Sequence, residues 1–292
     1  MSHVSGRHLM VLVGICAIWG FNLIAIKAGV DRMPPVFFSF LRFLVLAIAV
    51  APFLRIRRGE MRWLLIAAVC SGGLQFALMF IGIAHSGSMS SVAIAGQLGV
   101  PFTTLLSILI LGEEVRWRRW TGIVLSFAGV MLIGFNPIVL ESMEGLAMVV
   151  LGALSGSVGL VAIKRVHGIK PLELQAWFAW TSLPVLLGLS LALEHGQLAS
   201  LAALDLTALG AILYTALAAS LVGHTVFFAL VQRYPVTSVA PITVLAPVFS
   251  VVFAVLLLGE RLDWRIGIGG LMTLGGVVVI ALRERRLPDT RT

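Results

Sequence analysis

The chain has 292 residues, of which 59% are hydrophobic and 12% charged, with a mean hydropathy of +1.05 and a formal net charge of +8. Soluble domains carry roughly 25% charged residues, so this composition excludes a soluble protein and points to one that spans a membrane. The positive charge does not mark a nucleic-acid binder, because the basic residues form short clusters between apolar runs, as orientation signals do.

The apolar runs are long and continuous and do not alternate with period two, so the fold class read here is all-α. Ten spans are expected, at 9–29, 36–54, 63–84, 90–111 and 117–135, then 145–163, 173–193, 207–231, 237–258 and 264–282. The first follows a short tail with Arg7. Its apolar stretch is too long for a signal peptide and lacks a small-x-small cleavage site, so it is expected to remain. Cys16 and Cys70 fall within spans and read as small packing residues. No soluble domain separates the spans. Between the seventh and eighth, Leu198, Leu201 and Leu204 recur at spacing three; a simple loop is preferred there over a small interfacial helix.

The chain repeats itself at an offset of 147 residues. Ser91-Val92-Ala93 returns as Ser238-Val239-Ala240, Leu111-Gly112-Glu113 as Leu258-Gly259-Glu260, and Trp117-Arg118 as Trp264-Arg265. Between Ser91–Ile133 and Ser238–Ile280, 15 of 43 aligned positions are identical. The domains are therefore 1–140 and 141–292, each holding five spans. Five is odd, so the two repeats run inverted across the membrane. With both termini in the cytoplasm, 16 of the 21 basic residues lie on the cytoplasmic side, the bias expected of an inner-membrane protein with that orientation.

Glycines mark close helix contacts: Gly122 and Gly129; Gly152, Gly156 and Gly159; and Gly269, Gly270, Gly275 and Gly276. Internal packing is preferred over a dimer face, and both monomer and homodimer remain open. Pro101 and Pro247 break the fourth and ninth spans, each removing a backbone donor. Such breaks bend a helix or line a cavity.

Several motifs resemble one family. Ala17-Ile18-Trp19-Gly20-Phe21-Asn22, the segment Phe37–Leu44 around Arg42, and the proline-to-Leu-Gly-Glu helices Pro101–Glu113 and Pro247–Glu260 are similar to those of the drug/metabolite transporter superfamily. The resemblance covers almost the whole chain and implies the ten-helix EamA-type branch, mostly exporters of small metabolites. Within it, the YddG-type amino-acid exporters are the nearest comparison. The second half lacks a counterpart to the Arg42 motif, so the halves differ in chemistry.

Ionisable groups are costly at membrane depth. Arg42 and His224 stand well inside spans, while no Asp or Glu does. Arg42 reads as a gating or structural charge, with Glu260 or Asp31 as its expected partner; binding of a substrate carboxylate is the other reading. His224 either couples transport to protons or hydrogen-bonds a neighbouring helix. The resemblance adds a contrast, since the four-helix multidrug exporters of the same superfamily use an embedded glutamate. Its absence argues against cationic drugs as substrates. The candidate substrate-binding set is Trp19, Asn22, Gln75, Gln97, Trp177, Trp180, Tyr214, His224 and Thr243. Glu113 and Glu260 read as turn residues.

The function expected is export of small neutral metabolites, amino acids first, by alternating access through a cavity between the repeats. A multidrug or nucleotide-sugar carrier of the same fold is the alternative. An intramembrane enzyme is remote, since no metalloprotease motif, carboxylate pair or Ser–His spacing is present. No channel-filter segment recurs either. No cofactor, metal or nucleic acid is expected; the partners are the substrate and the lipid bilayer.

Overall fold

The computed structural model describes residues 5–56, 59–112, 117–234 and 240–281. Arg57, Arg58, Glu113, Arg116, Ser238, Val239 and the basic residues from Arg283 onward lie outside the described residues. The described chain is helical throughout. Eight helices are long and apolar enough to cross a membrane: α1 (Gly6–Val30), α2 (Pro35–Phe53), α3 (Met61–Ala84), α4 (Met89–Ile110), α7 (Met143–Ile163), α8 (Pro171–Leu193), α10 (Leu206–Phe227) and α12 (Trp264–Ala281). A shorter apolar helix, α11, covers Ile242–Leu258. Helix α5 (Trp117–Gly134) opens on Trp117, Arg118, Arg119 and Trp120, which dilute its apolar character. Two short helices are α6 (Pro137–Glu141) and α9 (Gln197–Ala202).

Local chemistry sets the helix ends. Ser5 caps α1 by accepting from the His8 N–H, and Asp205 caps α10 by accepting from the Ala208 N–H. Pro35, Pro137 and Pro171 open their helices, where a missing N–H costs nothing. The repeated Leu-Gly-Glu motif is a helix stop. Gly112 and Gly259 both adopt φ +67°, a left-handed conformation that glycine enters without a Cβ penalty. Where a simple loop was expected after α8, the chain forms the helical turn of α9, with Leu198 82% exposed and Leu201 38% exposed. The spacing of three marked the helix, and the polar residues around it masked that signal.

Helix pairing follows one pattern. In the first half, α1, α2, α3, α4 and α5 correspond to α7, α8, α10, α11 and α12 in the second. Helix α1 packs on α11, and its counterpart α7 on α4. Helix α3 packs on α7, and its counterpart α10 on α1. Helix α2 meets its own counterpart α8, and α5 meets α12.

Glycine lets α5 and α12 touch backbone to backbone. A Cβ at Gly129 would collide with the Gly269 carbonyl, and one at Gly269 with the Gly129 carbonyl; Gly122 and Gly276 oppose each other likewise. Between them the Ser126 hydroxyl donates to the Thr273 carbonyl at 3.3 Å and the Thr273 hydroxyl to the Ser126 carbonyl at 3.3 Å. Ser126 and Thr273 stand 147 residues apart, the offset of the sequence repeat, so equivalent residues exchange equivalent bonds. Gly152, Gly156 and Gly159 pack against α3, and Gly270 against Ile94. Gly275 alone of this set has nothing within 4 Å.

Gly129→Ala is expected to lower stability by at least the about 1–3 kcal/mol of an overpacked core, because the new methyl meets backbone that cannot move aside. Gly275→Ala is expected to be neutral or mildly stabilising. Thermal melts of the two purified variants in detergent check this, and equal melting temperatures would refute the contact.

Candidate functional site

The site is built on two irregular turns. Val69–Leu74 of α3 and Tyr214–His224 of α10 are wound as π-helix. Shifted by 147, the first falls inside the second. A π-turn shifts the hydrogen-bond register and frees a carbonyl for other donors. In α10 the Thr215 carbonyl accepts from the Ser220 hydroxyl at 2.8 Å and from Arg42 Nε at 3.3 Å. Arg42 Nη2 donates to Ser220 Oγ at 2.6 Å. The guanidinium carbon lies 4.3 Å from the Phe76 ring centre and 5.0 Å from that of Phe43, faces that favour a cation.

Arg42 is 3% exposed and forms one wall of a cavity of about 210 Å³. Helices α2, α3, α8 and α10 enclose it, two from each half. Its polar lining is Arg42, Ser71, Gln75, Gln175, Ser220 and His224, and its apolar lining is mainly Phe43, Phe76 and Phe178. Gln75 is placed by the close approach of α3 to α7, where only glycine fits: a Cβ on Gly156 would overlap the Gln75 side chain. His224 Nδ1 donates to the Ser220 carbonyl at 3.1 Å. Trp19 backs this histidine, its ring centre 5.2 Å away and its Nε1 donating to the Ala219 carbonyl at 3.0 Å. A larger cavity of about 650 Å³, lined by Arg55, Lys170, Glu173 and Thr225 among others, lies next to this chamber, since Glu173 and Thr225 adjoin Leu174 and His224 in the chain.

The other sequence-selected residues are dispersed. Gln97 and Thr243 line a separate cavity of about 460 Å³ with Thr103, Thr104, Ser107 and Lys164. They are the residues whose carbonyls Pro101 and Pro247 cannot bond, and both sit in 3₁₀ turns. Asn22 is on α1, its Oδ1 buried without a partner. Tyr214 donates its hydroxyl to the Ile18 carbonyl at 2.9 Å, tying α10 to α1. Trp177 donates to the Arg55 carbonyl at 2.8 Å and pins the segment after α2. Trp180 is 42% exposed on the outside of the bundle.

The expected pairing of Arg42 with Glu260 or Asp31 is not what forms. Asp31 pairs with Lys27 at 2.6 Å. Glu260 caps α4, accepting from the Met89 and Ser90 N–H groups and the Ser88 hydroxyl. A carboxylate at a helix start meets unsatisfied donors and the positive dipole end, and that attraction outcompetes a distant arginine. Glu194 does the same for α2, accepting from Val36 N at 2.7 Å and Phe37 N at 3.0 Å. Asn136 donates to Asp263 at 2.6 Å, and Arg32 to Asp205 at 2.9 Å. These contacts clasp the face carrying Asp31, while the two larger cavities lie toward the face carrying Arg55. The sequence reading passed over Gln175 and Glu173. Both fall at the edge of an expected span, yet the structure buries them, at 8% and 6% exposure.

A family model described as the EamA-like transporter family matches residues 7–135 and again residues 143–282. The chain belongs to this family. It is a multi-pass membrane protein of a transporter family, as its apolar helices also require. A protein named probable amino-acid metabolite efflux pump from Escherichia coli (strain K12) is 28% identical over 279 residues, covering 91% of this chain and 90% of that protein. Its namesake from Salmonella typhimurium is 29% identical over 276 residues, again covering 91% and 90%. An uncharacterized transporter from Archaeoglobus fulgidus is 26% identical, covering 97% and 99%. One crystal structure superposes with a TM-score of 0.62 over 97% of this chain and 99% of that one, at 17% identity, a likeness of fold.

Glu260→Ala is expected to cost about 0.5–2 kcal/mol, the usual loss for a helix cap, read as a lower melting temperature; an unchanged melt would refute the capping role. At Asp205 the Ala208 N–H, then the Arg32 guanidinium, hold the carboxyl below its ordinary value. Its contribution is therefore complete above the ordinary carboxylate range and is lost as pH falls through the lowered value. Asp205→Asn is expected to flatten that acid limb in melts followed from neutral to acid pH.

Proposed function

We propose that this protein exports small neutral or zwitterionic metabolites, amino acids first, by alternating access through the Arg42 chamber. The observation that carries the reading is the chamber itself, a small cavity walled by both halves and lined by polar groups together with aromatic rings. Its about 210 Å³ falls below the roughly 300–1,000 Å³ of pockets for drug-sized ligands, which favours a small metabolite over a multidrug substrate. The names of the Escherichia coli and Salmonella relatives support the same class.

The architecture we infer is ten transmembrane helices in two inverted repeats, 1–140 and 141–292. The exchange symmetry of helix pairs, the reciprocal Ser126–Thr273 bonds and the twofold family match support it. The concentration of basic residues near Arg55, Arg62 and Lys164 makes that face cytoplasmic, with both termini there and the protein in the inner membrane. The clasped Asp31 face is then the outside, and the conformation is closed outward. Rocking of α1–α4 against α7–α11, hinged on the glycine contact of α5 with α12, exchanges access.

Counterflow in proteoliposomes tests this. Vesicles are loaded with unlabelled threonine, methionine or phenylalanine, and entry of the labelled compound is followed without a pH gradient. Transient accumulation above equilibrium is expected for at least one of them. Folded protein that accumulates none would overturn the amino-acid reading.

A further inference from the structure

We infer that Arg42 and Gln175 form a recognition pair for a zwitterion, with Arg42 receiving a substrate carboxylate and the Gln175 amide the ammonium side of the molecule. This deepens the function proposed above and rests on it for the substrate class.

The argument begins with unfilled valences. Among the described residues, few buried side-chain polar atoms lack a partner, and three of them belong to two residues that line this chamber: Arg42 Nη1, Gln175 Nε2 and Gln175 Oε1. Buried polar groups are ordinarily bonded, and leaving one unpaired costs about 1–3 kcal/mol, more when it is charged. Arg42 and Gln175 are 3% and 8% exposed, so bulk water does not relieve them. Two such side chains on facing helices, α2 and α8, around one cavity form a set of donors and an acceptor that calls for a ligand.

The signs of those groups define it. The groups that engage Arg42 are neutral: the Thr215 carbonyl, the Ser220 hydroxyl and aromatic faces. No carboxylate among the described residues reaches it. The guanidinium therefore keeps a net positive charge on the chamber wall, in surroundings that screen poorly. A carboxylate is the group that neutralises it and matches its remaining donors. A free amine without a carboxylate meets the same field as repulsion. The Gln175 carbonyl supplies an acceptor suited to an ammonium, with Gln75 and Ser71 beside it. The apolar remainder of the ligand faces Phe43, Phe76 and Phe178. An α-amino acid with an apolar side chain satisfies all three requirements in the available volume.

The test measures binding to the full-length protein in nanodiscs by calorimetry, using four probes. Phenylalanine carries both charged groups. Phenylalaninamide and phenethylamine lack the carboxylate, and 3-phenylpropanoate lacks the ammonium. Wild-type protein is expected to bind phenylalanine at least tenfold more tightly than either carboxylate-free probe. Arg42→Gln is expected to abolish that preference, leaving the probes within about threefold of one another. This change of ratio is one that a merely structural arginine would not produce. Gln175→Leu, which replaces two orphaned polar atoms by an apolar group of similar length, is expected to keep the fold. It should weaken phenylalanine more than 3-phenylpropanoate, because the latter never used the ammonium acceptor. If wild-type protein binds the amine and amide as tightly as phenylalanine, or if Arg42→Gln binds with the preference intact, the inference is overturned while amino-acid transport stands. If 3-phenylpropanoate binds with Arg42 dependence and phenylalanine does not bind, the ammonium role fails and the inference is overturned. If none of the four binds, the inference is likewise overturned, and counterflow with threonine and methionine decides the amino-acid reading. If Arg42→Gln does not fold, Arg42→Met, which also removes the charge, replaces it, with the same collapse of the phenylalanine-to-amide ratio expected.

Discussion

One buried cation organises the interior. Arg42 sits at membrane depth, where an isolated charge is expensive, and it is stabilised without a carboxylate among the described residues. It uses a backbone carbonyl, a hydroxyl and two phenylalanine faces. The carbonyl belongs to the segment of α10 that winds as a π-helix. The irregular turn, the placement of Ser220 and the position of α2 against α10 are thus one device. The matching π segment in α3 carries Ser71 and is followed directly by Gln75, and both line the same chamber.

A second constraint acts around that chamber. Hydrophobicity does not drive helices together in lipid, so packing must. The protein concentrates its closest packing at α5 and α12, where glycine backbones touch and Ser126 and Thr273 exchange equivalent bonds. Because the exchanged groups are repeat-equivalent, the contact has a local twofold character that survives small rotations of one half against the other. The clasp on the Asp31 face differs in kind. It consists of carboxylates on helix starts and a few ion pairs, exchangeable for water at modest cost. A backbone-to-backbone hinge and a hydrated, breakable closure are what a rocking carrier requires of its two kinds of contact.

The sequence made the helices legible and left the chamber half hidden. Repeat offset, apolar runs and charge clusters placed the helices to within a few residues, since those signals are one-dimensional. Arg42, Gln75 and His224 stood out as polar residues deep in apolar runs, and they meet in one cavity. Gln175 did not, because it lies one turn inside α8, where a polar residue reads as interfacial. Its burial depends on how α2 and α3 cover that turn. Trp180, only five residues further on, looked equally suitable, and the helix turns it outward. Rotation about the helix axis decides both cases, and an amphipathic pattern reveals rotation poorly when lipid and core are both apolar. Glu260 failed differently. Its partner was sought by charge, whereas the helix start of α4 supplied three donors closer at hand.

The anchoring of Arg42 also bears on how tightly a carrier should hold its cargo. A free guanidinium gripping a carboxylate through two parallel bonds in a dry site gives strong, slow-releasing recognition. Here Nε and part of Nη2 are already committed to α10, so only the remaining edge of the fork is left for a ligand. The charge attracts and selects, while the incomplete fork limits the depth of the well. Transport needs that compromise, because a substrate bound too firmly in the chamber would lock the protein in one conformation. The α10 anchor links the two requirements in one set of bonds: moving α10 relative to α2 must disturb the Thr215 and Ser220 contacts, and with them the orientation of the group that holds the substrate. In the mechanism proposed above, binding and rocking are coupled in this way through Arg42, without a membrane-embedded carboxylate among the residues that line the chamber.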